Sequence, residues 1–132
     1  MKKILFITSI VSLFFISCTN EDNQSENCLD FKHASITNVD TEILTVEKNK
    51  DLPIQLTYTI ENSCGNFYDF DVVRQDKIYD IKINAKYEGC TCNEIASNKQ
   101  ITYYFRAIES GIYTLNFSVS NNEFISKTIY VQ

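Results

Sequence analysis

The stretch IYDIKINAKYE, Ile78 to Glu88, decides the fold. Tyr79, Ile81, Ile83, Ala85 and Tyr87 fall on one side of an extended chain. Asp80, Lys82, Asn84, Lys86 and Glu88 fall on the other. A period of two with one apolar side is the pattern of a strand buried on one face, and it does not fit a helix. The same alternation recurs outward from it. In 53–61, Ile54, Leu56, Tyr58 and Ile60 oppose Gln55, Thr57, Thr59 and Glu61. In 101–107, Ile101, Tyr103 and Phe105 are expected inward. In 112–119, Tyr113, Leu115, Phe117 and Val119 alternate with Thr114, Asn116 and Ser118. In 67–74, alternation places Tyr68, Phe70 and Val72 inward and Asp69 and Asp71 outward, with Phe67 and Tyr104 as outward aromatics.

The remaining pieces agree. In 124–131, Ile125, Ile129 and Val131 are assigned inward, and Ser120-Asn121-Asn122-Glu123 reads as a hairpin turn because Asn tolerates positive φ. Upstream, 34–38 and 43–47 are strand pieces with a break near Asp40. The only proline, Pro53, opens a strand, where its missing N–H does least harm. Tyr and Phe number 8 and 9 while Trp is absent, and β-branched residues are plentiful, a balance that favours sheet. About seven short strands, turns between them and no helical stripe indicate an all-β antiparallel β-sandwich over residues 28–132.

One motif sharpens this expectation. Glu109-Ser110-Gly111-Ile112-Tyr113-Thr114-Leu115 resembles the Asp-x-Gly-x-Tyr-x-Cys signature of immunoglobulin domains. The resemblance implies an immunoglobulin-like sandwich, with Gly111 as the turn glycine and Tyr113 as the corner tyrosine that bonds back to the preceding backbone. Leu115 stands where those domains carry Cys, and no Trp is present, so their cross-sheet disulfide is not implied.

Cys28, Cys64, Cys90 and Cys92 form an even set. A bond between Cys90 and Cys92 would be strained, so each should pair with Cys28 or Cys64, and both connectivities remain open. The strand directions gather the four sulfurs. Strand 53–61 ends before Cys64, strand 78–88 runs the same way and ends before Cys90, and Cys28 precedes a first strand that starts at that end. Two bridges at one pole are expected. Four thiolates could instead hold zinc, but the paired C-x₂-C spacing of zinc sites is missing, and an exported chain favours disulfides.

Export is read from the first eighteen residues, MKKILFITSIVSLFFISC. Lys2 and Lys3 precede 13 mostly apolar residues, Ile4 to Ile16, too few to span a bilayer as a helix. Phe15-Ile16-Ser17-Cys18 resembles the lipobox of bacterial lipoproteins, although Phe15 stands where Leu is commonest. The resemblance implies a signal peptide over 1–17, cleavage before Cys18, and a diacylglycerol and an acyl (palmitate-type) chain on Cys18. The segment TNEDNQSEN makes 18–27 a flexible acidic tether. Its acidic pair, Glu21 and Asp22, resembles the export signal of Bacteroidota surface lipoproteins. The implied location is the cell outer membrane, lipid-anchored, facing the periplasm or the surface. The ten residues from Cys18 to Cys28 would reach about 35 Å when extended.

Function is less legible. The formal net charge is −5, and loss of Lys2 and Lys3 takes it to −7, which argues against nucleic acid as a partner. The only histidine, His33, has no motif partner for nucleophilic catalysis. Asp69, Asp71, Asp76 and Asp80 read as a solvated acidic face rather than a glycosidase pair or calcium loop. The expectation is therefore a non-catalytic binding or structural module, with no cofactor and no metal beyond the lipid on Cys18. Its partner would be an envelope or extracellular protein or glycan. The first choice for the contact surface is the loops at the cysteine pole, including Asn66, Thr91 and Asn93. The alternatives are an inhibitor or accessory subunit of an envelope enzyme, or a small enzyme whose site the sequence does not show.

Overall fold

The computed structural model describes residues 28–132, so the signal peptide, Cys18 and the tether lie outside the described residues. Eight strands follow one another without a helix among the described residues. They are β1 (Leu29–Asp40), β2 (Thr45–Val46), β3 (Leu52–Ile60), β4 (Gly65–Gln75), β5 (Ile78–Glu88), β6 (Ser97–Phe105), β7 (Gly111–Ser120) and β8 (Glu123–Val131). The hydrogen-bonded order is β2-β8-β7-β5-β1-β3-β6, with β4 on the free side of β5.

One strand joins the two layers of the sandwich. Residues 29–34 of β1 pair with β5, whereas 35–40 pair with β3. The β1–β3 register shifts between Ile36 and Asn38, and such irregularities let a strand leave one sheet for another. The first layer is thus β4, β5, β7, β8 and β2 with the start of β1. The second is the end of β1 with β3 and β6.

Most pairings are antiparallel, as expected. Two are parallel: β2 with β8, and the first four residues of β5 with β7. The β5–β7 pair departs from the antiparallel sheets of immunoglobulin domains. It arises because β5 gives one edge to two partners in turn, β7 along 78–81 and β1 along 83–88.

The alternation in β3, β5 and β8 is realised: Ile54, Leu56, Tyr58, Ile60, Tyr79, Ile81, Ile83, Ala85, Tyr87, Ile129 and Val131 are all buried. An aromatic seam joins the layers. Phe105 on β6 meets Tyr79 on β5 at 5.5 Å and Tyr113 on β7 at 5.4 Å, and Tyr103 meets Phe70 at 5.1 Å and Phe117 at 6.1 Å. These edge-to-face contacts tie the two layers together.

Two expectations are corrected. In β4 the pairing with β5 slips between Phe67 and Asp69, a bulge that inserts one residue. Phe67 and Phe70 both pack against the core, and Tyr68 turns outward. A one-residue slip exchanges the faces of a strand, so strict alternation misplaces Tyr68 and Phe67. The β7–β8 turn falls at Asn121 and Asn122, but neither has positive φ. Among the described residues, the non-glycine ones that do are Asn49 (62°) and Asp76 (54°), the latter in the β4–β5 turn. A register shift between Ser118 and Ser120 accompanies the Asn121–Asn122 turn.

Candidate ligand-binding face

The four sulfurs form two bridges, Cys28–Cys90 and Cys64–Cys92, at one end of the sandwich. The thiolates a zinc site would need are consumed. Among the described residues no group of three or more His, Cys, Asp or Glu is placed to hold a metal ion. Backbone bonds knit the pole: Gly89 N–H donates to Cys28 O (2.9 Å), Glu88 N–H to Cys64 O (3.3 Å) and Ser63 N–H to Asn93 O (3.1 Å). Asn66, Thr91 and Asn93 are all exposed there. Asn66 Oδ1 accepts from Lys99 Nζ at 2.7 Å, and Asn93 N–H donates to Ser63 Oγ at 2.9 Å. Gly65, next to Cys64, is the residue that lets β4 start here. A Cβ at this position would lie 2.7 Å from Tyr87 Cε1 and 2.9 Å from Ile60 Cβ, closer than side chains approach.

The bridges pin two strand starts to one short segment, 90–92. Cys28 holds the start of β1, and three residues on stands Phe31. Cys64 holds the start of β4, and four residues on stands Tyr68. β1 and β4 flank β5, and the two rings meet across its outer side with centroids 4.9 Å apart, edge to face. Phe31 is 48% exposed and Tyr68 54%, so the pair covers itself only partly. The bulge is what aims Tyr68 at Phe31.

Beneath the rings lies an open depression of about 400 Å³ lined by Phe31, Lys32, His33, Tyr68 and Asn84, a size within the ordinary range of ligand sites. Its floor is one cross-strand row: Asp69 pairs with Asn84, and Asn84 with His33. Asn84 Nδ2 donates to Asp69 Oδ1 at 2.7 Å, which fixes the amide's orientation. The two lysines beside it are in ion pairs. Lys32 Nζ lies 2.7 Å from Glu61 Oε2, and Lys86 Nζ lies 2.8 Å from Glu88 Oε2. The hydrogen bond Lys32 donates to Glu61, then the charge of Glu61, holds the Lys32 ammonium above the usual lysine range. His33 also borders a second depression of about 220 Å³ with Lys82, Ser118, Ser120 and Asn121, where β1 departs and β7 takes over beside β5.

At the opposite end, Tyr113 OH donates to Glu109 O at 3.0 Å, the bond a corner tyrosine makes. Gly111 has φ +143°, a conformation L side chains rarely adopt, and Lys77 Nζ caps Ser110 O at 3.0 Å. Tyr113→Phe should therefore lower stability by about 1 kcal/mol, the net worth of one such bond. Thermal melting should show a fall of roughly 4–8 °C for a domain of this size.

The family comparison is decisive for the fold. A family model, the ORF11 beta-sandwich domain, matches residues 54–131. This chain belongs to that family. No curated protein and no solved structure gives a significant match. The family match runs from Ile54 in β3 to Val131, so it includes Tyr68, Asp69 and Asn84 of the face and leaves β1, with Phe31 and His33, outside it. Sequence reasoning missed the aromatic pair because it placed Tyr68 in the core and gave Phe31 no role. The spacing of Phe67 and Phe70 was the available signal: residues three apart cannot both face the core of a regular strand.

Proposed function

We propose that this protein is a lipid-anchored envelope module that binds a partner without catalysing a reaction on it, through the face carrying Phe31 and Tyr68. The observation that carries the reading is the outward pair of rings, aimed by a bulge and pinned by two disulfides. Exposed aromatics on a rigid scaffold supply large contact area at small entropic cost. The face lies on the strands that start at the cysteine pole, where Asn66, Thr91 and Asn93 are also exposed. The lipid reading rests on the sequence around Cys18. Cys28, the first described residue, lies just before β1 and is bridged at that pole.

Two results are expected. Palmitate labelling of the full-length protein in its own cells should be lost in Cys18→Ser, with the protein released from the membrane fraction. Labelling that persists would sink the anchor. In lipid-retaining pull-downs from intact envelopes, Phe31→Ala and Tyr68→Ala should each reduce partner recovery at least tenfold while melting within a few degrees of wild type. Recovery unchanged in both variants would move the contact surface elsewhere.

A further inference from the structure

We infer that the Phe31–Tyr68 face takes a neutral, hydroxyl-rich ligand, a saccharide. The inference rests on the binding role proposed above and names the ligand class. Three features of the depression carry it.

The rings come first. Phe31 and Tyr68 are held at 4.9 Å with an interplanar angle of 66°, so they offer two differently tilted walls rather than a slot for a flat aromatic ligand. A pyranose ring presents C–H groups on its faces, and these pack on the negative face of an aromatic ring. The floor comes second. Asn84 has one amide hydrogen bond committed to Asp69, which leaves its carbonyl oxygen and second N–H for a ligand. The imidazole of His33 adds a donor and an acceptor in the same row. Donors and acceptors mixed at short spacing match adjacent hydroxyls, which both give and accept.

The charges come third, and they narrow the class. The two lysines beside the rings are engaged, Lys32 by Glu61 at 2.7 Å and Asp30 at 3.7 Å, and Lys86 by Glu88 at 2.8 Å. An anionic ligand would have to compete with these carboxylates, and a cationic one with these ammonium groups. A neutral ligand leaves every pair intact.

The test uses the full-length protein in detergent on an array of neutral hexose and N-acetylhexosamine oligosaccharides, with uronate, sulfated and sialylated ones alongside. Titration calorimetry follows on the strongest neutral hit. Binding to a neutral class is expected, weakened tenfold or more by Phe31→Ala, by Tyr68→Ala and by Asn84→Ala. Tyr68→Phe should keep most of the affinity, which guards against a folding defect. Binding confined to anionic glycans, or insensitive to these substitutions, overturns the inference. So does the absence of any glycan binding. If a protein partner is meanwhile captured through Phe31 and Tyr68, the saccharide class falls and the face survives. If no capture depends on them, both fall.

Discussion

Replacing Cys28 and Cys90 together by alanine should lower the unfolding free energy by about 4 kcal/mol. The two residues are 62 apart in sequence, so the bridge closes a long loop in the unfolded chain, and the entropic model of cross-linking scales with that length. A loss of this size corresponds to a fall in melting temperature of roughly 15–30 °C for a domain of about 100 residues. The pair Cys64–Cys92, 28 residues apart, should cost somewhat less when removed, roughly 3.5 kcal/mol. Denaturant melts of both double variants check the order. An equal or reversed ranking would mean that native packing at the pole, rather than loop length, sets the bridges' worth. Both variants should also loosen the Phe31–Tyr68 pair, because each bridge holds the strand on which one of those rings stands.

The second large effect is at the aromatic seam. Phe105→Ala should destabilise by about 3–5 kcal/mol. Phe105 is 1% exposed and touches both Tyr79 and Tyr113 edge to face, so its removal opens a cavity between the layers and strips two ring contacts at once. The site has little freedom to collapse. Tyr113 is tied to Glu109 by its hydroxyl, and Tyr79 lies beneath the Arg74 guanidinium, 4.6 Å from its ring centre. Phe105→Leu keeps much of the volume and should recover more than half of the loss. Urea unfolding of the two variants measures the difference. A cost below 1 kcal/mol for the alanine would show that the seam is not where the layers are joined.

The regular strands were legible because alternation is a local property. β3 and β5 bury every second residue as their sequences require, and Pro53 sits at the strand start that tolerates it. The cysteine pole was legible because strand directions follow from antiparallel connections, and the directions gather the sulfurs. What was not legible is non-local. Nothing in 78–88 shows that its edge is shared between β1 and β7, since pairing partners leave no mark on alternation. The parallel run of β5 with β7 follows from that sharing.

The candidate site was hidden for a related reason. Tyr68 looks like a core residue until the bulge shifts it, and the bulge is written only in the three-residue spacing of Phe67 and Phe70. Phe31 gains meaning only through a strand two positions away in the sheet. His33, read alone, has no chemistry to perform. In the fold it shares a row with Asn84 and Asp69.

Photo-cross-linking in intact cells tests the central claim most directly. Phe31, Tyr68 and Ile108 are each replaced in turn by p-benzoylphenylalanine in the full-length protein. Ile108 is 73% exposed and lies between β6 and β7, at the end of the sandwich away from the disulfides. A braced binding face predicts adducts from positions 31 and 68 and none from 108. Adducts from 108 alone would contradict it.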